Sequence, residues 1–206
     1  MSGIMAQNSG RHTGLVKASS GGGGVWNLIL TQTASADSTI SFTSGIDSTY
    51  DEYVFKFINI HPSADDQMSQ FNLSIDGGSN YNVAKQSSFF RAYHYESGSS
   101  AALSYQDDDD LALATTPQQL VNSCSGNDND QSMSGYLHLY SLSDTTFVKH
   151  FIGQTNYSTC NDTTTQNIFA GYANTASAIN AVQFSMSGGN IDSGTISLFG
   201  ISWLLD

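Results

Sequence analysis

The sequence predicts an all-β protein, built as two packed antiparallel sheets, on three observations. Short runs alternate apolar and polar residues: Ile40 and Phe42 within 38–44; Phe71, Leu73 and Ile75 within 71–75; Val182, Phe184 and Met186 within 181–187. Side chains of a strand point to opposite faces in turn, so a period of two marks a sheet with one buried and one wet face. Clusters of Gly, Ser, Asn and Asp, the residues of tight turns, separate these runs. About ten such runs follow at the short spacing of a β-sandwich, and no longer repeat of propeller or solenoid type accompanies them.

Residues 1–24 end in four glycines and are read as a flexible arm and joint preceding a sandwich domain over 25–206. The first strand begins at Val25, with Trp26, Leu28 and Leu30 expected on one face. A second strand lies at 38–44 and closes in the turn 44–48. Residues 51–60 (DEYVFKFINI) form the strongest strand of the chain. Tyr53, Phe55 and Phe57 share one face, while Val54, Ile58 and Ile60 lie opposite around Lys56. Two apolar faces place this strand centrally, and Pro62 stops it because proline donates no ladder hydrogen bond. A strand at 67–75 ends at Asp76-Gly77-Gly78. Residues 88–95 read as a strand, and 100–113 as a short helix or a strand. Residues 132–142 and 145–155 form a hairpin across Ser143-Asp144. The last strands are expected at 166–173, 180–187 and 195–202.

Charged residues make up only 12% of the chain, so Ser, Thr, Asn and Gly supply its polarity. Hydroxyls and amides cost less to desolvate than Lys or Glu, and such a surface suits packing against other proteins. The formal net charge of −12 excludes nucleic acid as a partner class, because phosphate binding needs clustered cations. The charge is uneven. Arg11 and Lys17 give the arm +2, which leaves −14 on the body. No run approaches the length that spans a bilayer as a helix, so no membrane insertion is expected. Met1 to Gln7 lacks a basic-then-apolar leader. Assembly in a cytoplasm is therefore expected, and with it two free thiols at Cys124 and Cys160.

Candidate sites are few. Asp107, Asp108, Asp109 and Asp110 form an acidic run, and Asp128 and Asp130 a second cluster. Calcium takes six to eight oxygens, but consecutive strand residues point apart, so solvated acidic turns are expected and no metal or other cofactor. His12, His61, His94, His138 and His150 show no metal-ligand spacing. His138 and His150 sit on the two arms of the hairpin, within reach of each other. No nucleophile elbow is present. The only glutamates are Glu52, placed like a strand-edge residue, and Glu96, and paired carboxylates for glycoside hydrolysis rest on little else. The aromatics are more informative. Tyr136, His138 and Tyr140 share one face of a strand whose other face carries Leu137 and Leu139. If the leucines are core, the stripe is free to stack on sugars or to contact a neighbouring subunit; otherwise it is a second buried face. Trp203, Leu204 and Leu205 form a further apolar candidate contact.

Three blocks carry a resemblance: 45–66 (GIDSTYDEYVFKFINIHPSADD), 135–153 (GYLHLYSLSDTTFVKHFIG) and 188–201 (GGNIDSGTISLFGI). In their order and wording, over roughly 25–202, they resemble structural proteins of tailed bacteriophages that infect marine and cyanobacterial hosts. The resemblance implies a jelly-roll-like virion component, present in many copies on the head or tail, with no catalytic motif to transfer. The expected function is that of a non-enzymatic capsid-surface decoration subunit. Such a subunit attaches to other virion proteins as a homo-oligomer, with a trimer expected, through Arg11, Lys17, Tyr136, His138, Tyr140, Trp203, Leu204 and Leu205. The alternatives are a tail-associated adhesin for host-surface glycans and, after it, a glycan-degrading enzyme.

Overall fold

The computed structural model describes residues 24–122 and 124–202. These residues form two antiparallel sheets and no helix. The strands are β1 (Val25–Thr33), β2 (Thr39–Phe42), β3 (Glu52–Pro62), β4 (Ser69–Ser74), β5 (Lys85–Tyr95), β6 (Ala101–Tyr105), β7 (Gln118–Gln119), β8 (Met133–Tyr140), β9 (Lys149–Thr159), β10 (Thr163–Ala173), β11 (Ala181–Met186) and β12 (Ile191–Ser202). The larger sheet runs β1-β12-β3-β8-β9-β10-β5-β6 and the smaller β2-β11-β4-β7. The all-β sandwich is as the alternation predicts, but the two sheets are unequal in width.

The core lies between them. Phe42 and Phe184 from the smaller sheet meet Phe55 and Phe57 from β3, with ring centroids 5.0 to 6.0 Å apart and edge-to-face. That geometry sets the positive edge of one ring on the negative face of the next. Phe71 of β4 meets Phe151 of β9 in the same way at 5.4 Å. Across β9 and β10, Gly153 pairs with Phe169 and Gly171 with Phe151. Each ring covers the bare backbone opposite it: a Cβ on Gly153 would lie 2.2 Å from the Phe169 ring.

Several expectations change in the fold. A register shift between Leu28 and Leu30 turns β1 over. Trp26 and Leu28 face outward and Leu30 inward, so the three do not share a face; one extra residue in a strand reverses the alternation beyond it. Ile75 falls just past the end of β4 and is exposed. The strand at 51–60 is central, flanked by β12 and β8. A bulge at its end, with Asn59 at φ +51° opposite Gly194 at φ +114°, leaves Ile58 in solvent. A Cβ on Gly194 would lie 2.5 Å from the Asn59 carbonyl oxygen, so only glycine fits there. The ambiguous region 100–113 provides strand β6 and then a turn, and β7 has no counterpart in the predicted strands.

Two lysines are buried at one end of the sandwich with no carboxylate at ion-pair distance, although Asp144 attracts Lys149 from farther away. Lys85 Nζ donates to Asn72 Oδ1 on the smaller sheet at 2.5 Å and to the Val83 carbonyl at 3.0 Å. Lys149 Nζ donates to the carbonyls of Phe147 and Thr175. Burial pushes the Lys85 ammonium down to about 8 and lowers that of Lys149. Among the described residues this leaves Lys56 and Arg91 as the cations outside the core, on a strongly acidic body.

Cys124 and Cys160 correct the expectation of free thiols. Their Cα atoms are 5.6 Å apart and they form a disulfide that closes the loop before β8 onto the β9–β10 turn. Two Asn/Asp-rich loops distant in sequence meet at one end of the sandwich, and spacing alone did not show that they would.

Candidate interaction surface

The outer face of the larger sheet, away from the smaller sheet, carries the predicted stripe. Leu137 and Leu139 are buried in the core, so the alternation of β8 turns Tyr136, His138 and Tyr140 outward. The His138 ring lies 5.1 Å from Tyr136, edge-on, and 6.2 Å from Tyr140, stacked. Tyr136 donates to Gln154 Oε1 on β9 at 2.9 Å. His138 Nδ1 is 2.5 Å from Glu52 Oε1.

Glu52 is therefore not a solvated strand-edge residue. It begins the central strand β3 and is buried between its cross-strand neighbours Ile201 and Tyr140. Nor do His138 and His150 face one another. His138 sits opposite Ile152, and His150 packs edge-on against Tyr172 at 6.2 Å. Burial and the neighbouring Glu52 carboxylate raise the Tyr140 phenol above its ordinary value, which keeps it protonated and poorly nucleophilic. The Glu52–His138 pair thus fixes a ring orientation within the sheet face, and its immediate neighbours offer no activated nucleophile.

The stripe belongs to a wider band that sequence reasoning missed. One cross-strand row reads Leu28, Phe199, Val54, His138, Ile152, Ala170. The next reads Lys56, Tyr136, Gln154, Ile168, Phe90, Tyr105. Trp26 leans on Phe199 at 5.5 Å, with the Lys56 ammonium 4.5 Å above its ring. Val54 is buried within the band and Phe199 and His138 are partly exposed, while Leu28, Tyr136, Ile152, Ile168, Phe90 and Tyr105 stand out in solvent. A contiguous apolar face of this kind is uncommon on a free-standing soluble protein. The signal was present in the sequence as adjacent apolar pairs: Phe89-Phe90, Phe151-Ile152 and Ile168-Phe169. On a strand only one member of each pair can enter a shared core, so the other must face out.

The other predicted sites separate. Arg11, Lys17, Trp203, Leu204 and Leu205 lie outside the described residues, as does nearly all of the arm. Asp107 and Asp108 are exposed, whereas Asp109 turns inward and burial raises its carboxyl to about 6. Asp110 accepts a hydrogen bond from the Tyr105 hydroxyl. Among the described residues no three His, Cys, Asp or Glu side chains are grouped to hold a metal ion.

No family model and no curated protein sequence matches the chain. Among solved structures it is similar to a structural-genomics crystal structure of unknown function from Bacteroides ovatus, at 7% identity and a TM-score of 0.28. That similarity covers 52% of this chain and 45% of the other, so the chain spans less than half the length of the protein it matches.

Proposed function

We propose that the chain is a non-enzymatic structural subunit of a phage particle, a capsid-surface decoration protein held in many copies through the outer face of its larger sheet. The observation that carries this reading is the uncovered apolar band centred on Tyr136, Ile152 and Ile168. Covering apolar side chains gains roughly 25 cal/mol per Å² removed from water, and repeated docking multiplies a modest single contact. The low charge density of the chain and its resemblance to phage structural proteins support the same reading. A symmetric homo-oligomer, with a trimer expected, uses one patch on every copy.

The test is occupancy on purified heads. Ile152→Asp and Ile168→Asp each set a carboxylate in the middle of the band without touching the core. The wild-type chain should bind heads and raise their resistance to heat, while both variants fold normally and bind at least tenfold less. Normal occupancy of the folded variants overturns the assignment.

A second reading is a tail-associated adhesin for host glycans. It is favoured by Trp26 and Tyr136, exposed rings flanked by the hydrogen-bonding side chains of Lys56 and Gln154. Binding to host cells in competition with whole phage, with no binding to heads, would select it.

A further inference from the structure

The inner face of the larger sheet extends beyond the smaller sheet, and there the core turns polar. β5 presents Arg91, Tyr93 and Tyr95, and β10 presents Thr163 and Thr165, around a cavity of about 140 Å³ beside Asn122 and the disulfide. The Arg91 guanidinium lies 4.9 Å over the Tyr93 ring, and Tyr93 meets Tyr95 edge-on at 5.8 Å. Arg91 Nε is buried and has no hydrogen-bond partner among the described residues. Both ion pairs found among those residues are made by histidines, and Arg91 is in neither. Directly across the ladder, Asn167 is fully buried with Oδ1 unpartnered. Buried polar groups are satisfied nearly everywhere in folded proteins, so the Arg91 donor left without a partner in the wall of a cavity calls for an acceptor there.

We infer that this cavity binds the oxyanion of a small acidic sugar: a carboxylate on Arg91, with the ring and its hydroxyls against Tyr93, Tyr95 and Thr165. Arg91 attracts the inward Asp109 carboxylate but forms no ion pair with it, so its guanidinium keeps a free fork for a planar oxyanion. The remaining wall groups are uncharged, being hydroxyls, the amides of Asn122 and Asn161, the disulfide and aromatic faces, and they suit a hydroxylated ring rather than further charge. The cavity is open to solvent on one side, so a single sugar unit can enter with its outer edge left in water. The acidic body repels polyanions, so a single negative charge on a neutral ring is the form that enters. The cavity opens on the opposite face of the sheet from the apolar band, and the inference does not rest on the docking reading.

The experiment is an amide-resolved NMR titration of the full chain with glucuronate, glucose and acetate, each up to about 50 mM, the range in which millimolar sites saturate. Glucuronate should saturably shift the amides of Arg91, Tyr93, Thr163 and Thr165. Glucose and acetate should each bind at least tenfold more weakly. Arg91→Gln should weaken glucuronate tenfold or more. Thr165→Val, which keeps the side-chain shape, should weaken it several-fold and serves if the arginine variant fails to fold. Equal affinity for acetate and glucuronate overturns the sugar assignment. No localised shift with glucuronate, or unchanged affinity in the folded variants, overturns the site.

Discussion

Lys85 is a buried cation whose cost can be measured by pH alone. Its side chain is fully buried and its ammonium, at about 8 in the folded protein, has an ordinary value of 10.5 in the unfolded chain. Below about pH 8 both states hold the proton, so the penalty of burying charge is fully present. Above it the folded state releases the proton while the unfolded chain keeps it, and stability rises with pH until about 10.5. The full difference corresponds to about 3 kcal/mol, and the part between about pH 7.5 and 9.5 to about 2 kcal/mol. Urea unfolding of the wild type and of Lys85→Met at those two pH values reads it directly. The wild type should gain about 2 kcal/mol relative to the variant. Comparing the two removes Lys149, whose lowered value has the same sign, and Tyr53, whose raised phenol removes stability only at higher pH. Parallel pH dependences for the two proteins would refute the reasoning, because the ammonium would then be solvated or paired in the folded state.

Two further perturbations test the packing. Reducing the Cys124–Cys160 bridge, or replacing Cys124→Ser, releases a separation of 36 residues. Loop-closure entropy puts the loss at about 4 kcal/mol, read as a lower urea midpoint; an unchanged midpoint would mean the two loops are held together without the bond. Gly153→Ala drives a methyl into the Phe169 ring, which is itself stacked on Phe89 at 5.7 Å. Overpacking of that kind costs about 1–3 kcal/mol, and a melting temperature equal to wild type would show that the ring can yield.

Much of the strand layout is legible in the sequence because alternation is a local property. The run at 51–60 has two apolar faces and becomes the central strand; β8 and β9 pair as the expected hairpin, in register from Met133 to Leu139, but across the longer connection 141–148 and with the second arm starting at Lys149 rather than 145. Features that depend on one extra residue are not legible. The bulge before Leu30 and the one at Asn59 each reverse a face, and β7 has only two residues. The candidate surface was half visible. The alternation of β8 places Tyr136, His138 and Tyr140 together, but their neighbours Ile152, Ile168 and Phe90 come from strands whose partners no local pattern specifies.

By itself, then, the sequence determined the fold class, the positions of most strands along the chain and the acidic, charge-poor character of the body, since each follows from composition or from contacts within a few residues. Only the tertiary structure decided that Cys124 meets Cys160, that Glu52 lies buried against His138, that Lys85 bridges the sheets and that Arg91 faces a polar cavity. The physical reason is common to all four. Each joins groups more than ten residues apart in the chain, and their meeting depends on strand order and sheet width, which are set by how the whole apolar interior closes rather than by any one segment.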